Sequence, residues 1–250
     1  MAVTALLPVQ AAFSGFETTA FWSSAEIGAD ADTKPITTFA NVSAAGAFEA
    51  SVVSLKRAVV TASGFNDFAA SSLDEWLRGN YGGVQVATVA PLGGTAGSIA
   101  DITRGLLVGY RPVNAAVGEV PAVQMVLEPT GAPIAEGQVT QASSAAVTAT
   151  SNSTPVQIGA LTAAQNVYAA IHVFSATGTT PSLTAQIQSG ATSGGAFTNR
   201  GSAGAALTAA GGQWLSTGLA AAVTDTWWRI SWTVVGGTPS FVVLASIAVA

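Results

Sequence analysis

Cysteine is absent from the 250 residues of the chain, which excludes disulfides, thiolate metal sites and a cysteine nucleophile. Histidine occurs once, at His172; with no cysteine beside it, a zinc centre of the usual kind is excluded as well. Charge is scarce. Asp, Glu, Lys and Arg make up 8% of the residues, against about 25% in an average soluble domain. Lys34 and Lys56 are the only lysines and the formal charge is −5, so no basic patch is expected to grip nucleic acid by its phosphates. No run of ~18 apolar residues free of turn formers occurs, so no membrane-crossing helix is expected. The start, MAVTALLPVQAAFSGF, lacks the basic segment of a secretory leader, and a bacterial-type cytosol is the expected place of synthesis.

What fills the gap is Ala, Gly, Ser and Thr, in a chain that is 49% hydrophobic. That length holds one large all-β domain or two ordinary ones, with a substantial core either way. A surface so poor in charge risks association, and burial of much of it between copies is the simple resolution. The charge is also uneven. Residues 1–137 carry six basic and twelve acidic side chains, net −6, while residues 138–250 carry Arg200, Arg229 and Asp225, net +1. Two domains, 1–140 and 141–250, are expected on this ground and on the change of texture after Ala142.

One stretch reads as helical, within AVVTASGFNDFAASSLDEWLRGNYGGVQVATVAP at 58–91. Asn66 or Asp67 offers a capping oxygen, and Phe68, Ala69, Leu73, Trp76, Leu77 and Tyr81 follow at spacings of three and four. A helix over about 67–78 is therefore predicted, ending at Gly79 and Asn80, followed by an alternating strand over 84–89. So short a helix with one greasy face must lie on a sheet.

The remainder reads as strands and turns. Phe13, Phe16, Phe21 and Trp22 stand among small polar residues; 26–35 has the look of an exposed loop, and 14–48 of a long loop that gains order from a partner. A short strand over 35–42 is predicted next, then a hairpin from strands at about 50–54 and 57–62 with a turn at Ser54–Arg57. Strands follow over 99–110, with a bulge at Arg104 and Gly105, and over 120–128. In the second half the expected strands are 166–176, 182–189, 226–235 and 240–249. Turns are placed at Ser151 and Asn152 and at Gly236–Pro239, and a loop over 190–204. Seven or eight regularly spaced strands describe a β-sandwich or jelly roll.

Candidate chemistry is thin. His172 sits in an apolar strand and reads as a hydrogen-bonded strand residue. Asp30 and Asp32 lack the bidentate acid of a calcium loop and read as a solvated acidic loop. Asp74 and Glu75 share one helix, whereas a glycosidase pair needs separate elements. There is no G-x-S-x-G elbow and no GKS or GKT loop; the segment at 93–97 lacks both the lysine and a following helix. Trp214, Trp227, Trp228 and Trp232 are expected in the core, with a sugar-stacking platform as the alternative. No catalytic, cofactor-binding or metal residue is assigned, no cofactor is expected, and an enzyme is the least favoured class.

The hairpin, SGFND turn, helix and returning strand over 49–89, closed by VGEVPAVQMVLEPTGAPIAEGQV at 117–139, resemble the major tail tube proteins of long-tailed bacteriophages. TDTWWRISWTVVGGTPSFVVLASIAV, with the preceding GGQWLS, resembles the extra sandwich domain that some of these proteins carry. The resemblance covers about 45–250. It implies a mainly β fold, a sandwich or barrel with one flanking helix followed by a second β-sandwich on the outer surface. It also implies self-assembly into stacked hexameric rings within the virion, contact with tape-measure and terminator proteins, and a conduit for DNA that is not specifically bound. Acidic charge in the first half suits such a lining, since a like-charged wall repels passing DNA. The alternatives are a carbohydrate- or host-surface-binding module and a capsid decoration protein.

Overall fold

In the computed structural model of the chain, residues 9–35, 51–69, 71–111 and 119–250 are described. Of the predicted strand over 35–42 only Pro35 is among them, as the last residue of the strand Trp22–Pro35; 36–42 lie outside. The first half contributes β1 (Gln10–Phe13), β2 (Phe16–Glu17), β3 (Trp22–Pro35), β4 (Ser51–Phe65), the helix α1 (Leu73–Asn80), β5 (Val84–Ala90), β6 (Ile99–Arg111), β7 (Ala122–Pro129) and β8 (Ala135–Gln141). The second contributes β9 (Ser151–Asn152), β10 (Val156–Gln157), β11 (Asn166–Gly190), β12 (Phe197–Asn199), β13 (Gly211–Gly218) and β14 (Trp227–Val249). The fold is mainly β with one short helix, in the sandwich class read from the sequence, and all the strand pairs are antiparallel.

Several expectations for the first half are corrected. β4 is one strand through Ser54–Arg57, and its partner is β3, from Trp22 opposite Gly64 to Pro35 opposite Ser51. The stretch taken for an exposed loop, Asp30 and Asp32 included, is therefore a strand; its Gly, Ala and Asp content disfavours β structure locally, and fourteen residues of ladder override that bias. The predicted 14–48 loop accordingly contains β2 and β3. The break in register of β6 falls between Leu107 and Gly109, not at Arg104, and the 117–139 segment is two strands, β7 and β8.

The helix starts at Leu73, six residues later than predicted. Asp67 does cap, but it caps a turn: its Oδ1 accepts the Ala69 N–H at 2.9 Å, the local bond with which Asp competes against helix. Ser71 then takes a left-handed φ of +60°, which no helix interior allows. Ser72 is the N-cap in backbone conformation, but its hydroxyl donates to the Asp67 carbonyl, and Glu75 reaches back to the Ser71 N–H at 2.6 Å. Leu73 and Leu77 are buried in the first-half core, while Phe68 and Tyr81, the predicted ends of the apolar stripe, are exposed. The left-handed residue after the helix is Gly82, at φ +78°.

The second half is organised by β11 and β14, which pair from Val167 opposite Val249 to Gly190 opposite Trp227. The predicted strands 166–176 and 182–189 are one element, and so are 226–235 and 240–249. Gly236–Pro239 is accordingly no hairpin turn. Both strands bend where their registers break, at Thr177–Ser182 and at Val235–Ser240. On one side of the bend β13, β11, β14 and β8 form a sheet; on the other, β12, β11, β14 and the short β10 and β9 form a second. Ile171, Val173, Phe241 and Val243 from the first meet Leu183, Ile187, Trp228 and Ile230 from the second in one core. A ribbon that changes sheets at a bend is how such corners are made. Ser151 and Asn152, read as a turn, form β9 opposite Trp232 and Ser231.

Candidate functional site

The ladder from β11 through β14, β8, β6 and β5 to β1 joins the halves edge to edge, and at their junction the side chains of both interlock. β5 reads from sequence as an alternating half-exposed strand, but every residue from Gln85 to Ala90 is buried. Its second face lies against β11. There the ring of His172, fully buried, places Nε2 2.8 Å from Thr88 Oγ1, and Nδ1 accepts the Gly15 N–H at 3.4 Å. A backbone N–H can only donate, so Nε2 carries the proton of the neutral ring and donates to Thr88. Burial pushes the pKa of His172 down to about 3. The residue is a hydrogen-bonded strand histidine, as its sequence context suggests. Sequence reading missed its partners, since Thr88 and Gly15 lie 84 and 157 positions away.

The β1–β2 turn completes this junction. Ser14 exchanges two bonds with Val86, from its N–H to the Val86 carbonyl and from the Val86 N–H to its Oγ, both 2.9 Å. Gly15, at φ +81°, is pressed so closely on β13 that a Cβ there would lie 2.4 Å from Gly211 N.

Two polar clusters pin elements of the fold together. Asp74, in the first turn of α1, accepts from Tyr110 of β6, from Asn66 at 3.2 Å and from Arg78 at 2.9 Å. Burial acts to raise its pKa, yet these bonds and the Arg78 charge together hold it below the ordinary carboxylate value. Glu75, its sequence neighbour, is spent on the Ser71 N–H. In the second half Asp225 accepts from Ser189 at 2.7 Å and from Arg200 at 2.9 Å, which lowers its pKa, while Arg229 lies 3.9 Å over the Phe197 ring. All three charges of that half thus gather at the β12 end of the sandwich.

The tryptophans divide. Trp228 and Trp232 are fully buried core residues, Trp214 packs on Tyr168 with centroids 5.3 Å apart, and Trp227 is half-buried. They form no common platform. Trp228 Nε1 donates to the Gly159 carbonyl at 3.2 Å, whereas Trp232 Nε1 is buried without a partner among the described residues. Trp228→Phe is therefore expected to lower stability by about 2 kcal/mol and Trp232→Phe by under about 1 kcal/mol. Urea unfolding checks this, and equal losses would contradict the assigned bond.

Two further features face outward. Among the described residues, eight of the nine exposed large hydrophobic residues lie between Phe65 and Val120, with Val235 the ninth; Phe65, Phe68, Tyr81 and Val84 flank the two ends of α1. The second is an arm. β7 pairs with β4 only over Val60–Phe65, so the ladder from Gly28 opposite Val59 to Pro35 opposite Ser51 continues for about 25 Å at ~3.3 Å per residue, with no third strand among the described residues. Both lysines of the chain are on it, and Asp30 stands opposite Arg57 in register.

No protein-family model matches the chain, and no curated protein matches it. Among solved structures, it is similar to the Dit protein (gp 19.1) of SPP1, described as a paradigm of the hub adsorption apparatus in phages that infect Gram-positive bacteria. The identity is 10%, the coverage 97% of this chain and 99% of that one, and the TM-score 0.34.

Proposed function

We propose that the chain is a structural virion protein of a bacteriophage tail, which works by assembling with copies of itself. The observation that carries this reading is the two-stranded arm of β3 and β4. A two-stranded ribbon is marginal in water on its own, and an edge left without a partner among the described residues is a template for pairing with another chain. A second copy supplies both a third strand and a cover. The apolar residues around α1 and the scarcity of surface charge favour the same occupant. In the finer form of the proposal, identical subunits close head to tail into hexameric rings. The rings stack as a tail tube, with residues 1–140 as the wall, 141–250 as a domain on the outer surface, and tape-measure and terminator proteins as further partners. DNA passes through the acidic lining without being held.

The test is negative-stain electron microscopy of the full chain beside a variant in which an Asn-Gly turn joins Gly28 directly to Val59, its register partner. The expected outcome is rings or tubes for the full chain and folded monomers for the variant. Monomers of the full chain at every protein and salt concentration would refute assembly, and rings from the variant would refute the arm's part in it.

A further inference from the structure

We propose that the groove between the β1–β2 turn, α1 and the start of β13 binds a neutral saccharide. The groove is open to solvent, has a volume of about 600 Å³ and is lined by residues that include Ser14, Phe16, Trp76, Asn80, Gln85 and Phe174, with the Gly211–Gly212 backbone also lining it. That volume falls within the usual range for small-molecule sites. None of its described lining residues is ionisable. A phosphate, carboxylate or cation entering it would lose water without gaining a counter-charge, so the ligand is neutral.

What the groove offers instead is flat apolar rings beside uncharged polar groups. Trp76, stacked on Phe16 with centroids 5.5 Å apart, and Phe174 supply the rings. Gln85 supplies the principal polar group. It is 4% exposed, its Nε2 reaches Asn80 O and Oδ1 only at 3.5 Å, and its Oε1 has no hydrogen bond among the described residues. A contact at that distance is at the limit of a hydrogen bond, so a ligand hydroxyl can replace it with a better one, and Oε1 is free to accept from the same ligand. Its neighbours complete the set. Asn80 Nδ2 is used on the Trp76 carbonyl at 2.8 Å, leaving Oδ1 as an acceptor, while Ser14 Oγ accepts from the Val86 N–H and keeps its own hydrogen to donate. Donors and acceptors thus alternate over a short span beside aromatic faces. Sugar hydroxyls, each both donor and acceptor on a ring with an apolar C–H face, match that arrangement. An extended peptide matches it less well, because the Val86 backbone groups on that side are already taken by Ser14.

The experiment is ligand-observed saturation-transfer NMR on the full chain with D-glucose, D-galactose, N-acetyl-D-glucosamine and their disaccharides, repeated with Gln85→Leu. Leucine keeps the buried volume and removes the amide, so the variant is expected to fold with an unchanged or raised melting temperature. At least one sugar is expected to show transfer to its ring C–H protons, weakened at least tenfold in the variant. No transfer to any sugar, or transfer undiminished by Gln85→Leu, overturns the proposal. Transfer to an extended neutral peptide but to no sugar overturns it too, and assigns the groove to a peptide. All of these readouts are independent of whether the chain forms rings.

Discussion

Acidification from about pH 6.5 is expected to destabilise the chain by up to about 1.4 kcal/mol per pH unit, the slope of a single proton, and His172 is the cause. Its ordinary value is 6.5 and burial pushes it to about 3. Below pH 6.5 the unfolded chain takes up a proton that the folded chain refuses until about pH 3. Stability is therefore full above this window, falls as the pH drops through it, and is level again below it. The whole window amounts to at most about 4 to 5 kcal/mol, a large share of the ~5–15 kcal/mol of a typical domain. The carboxylates act lower down. Asp74 and Asp225, held below the ordinary range by their partners, lose their contributions only at more acid pH, and Asp101, raised by burial and then by Glu136, works in the opposite direction. Urea unfolding between about pH 7.5 and pH 5 isolates the histidine. His172→Gln is expected to be less stable at neutral pH, through the altered Thr88 and Gly15 contacts, and to be flat with pH. A flat wild-type profile, or an unchanged slope in the variant, would remove His172 from this role.

The second large effect is expected at the corner of the sandwich. Gly178 and Gly236 have φ of +115° and +128°, and a Cβ would lie 2.7 Å from Thr238 O in the first case and 2.9 Å from Thr179 O in the second. The two segments share the pattern G-x-T-P-S and face one another, and Thr180 and Thr238 both have φ of +47°. Backbone strain and the clash act together, so Gly236→Ala and Gly178→Ala are each expected to lose about 3 to 5 kcal/mol. Gly237 is the internal control. It has no positive φ, and a Cβ there would meet nothing closer than Thr179 Cβ at 3.4 Å, so Gly237→Ala is expected to stay within about 1 kcal/mol. Thermal unfolding of the three variants decides. If Gly236→Ala melts with Gly237→Ala, the corner is not held by its glycines.

How much of this was legible can be argued from the same residues. The extended character of 84–89 and of 240–249 follows from β-branched and apolar content, and the burial of Trp228 and Trp232 on one face follows from a period of two. The boundary of α1 was not legible. Asp67 is as good a cap for a turn as for a helix, and the choice depended on where Leu73 and Leu77 could be buried. The junction was half-legible: Gln85 and Thr88 are polar residues in an otherwise apolar strand, a sign of specific partners, but nothing local names His172 or Ser14 as those partners.

The sequence by itself determined the class of the fold, the scarcity of charge and its concentration in the first half, and the want of any thiolate or histidine-cluster chemistry. These are matters of composition and of local period, which neighbouring residues settle among themselves. Only the tertiary structure decided that Gly236–Pro239 is a corner and not a hairpin turn, and that 26–35 is a strand. Each of those segments is locally compatible with two conformations of similar energy, and long-range ladders select one: β14 with β11 for the corner, β3 with β4 for the arm.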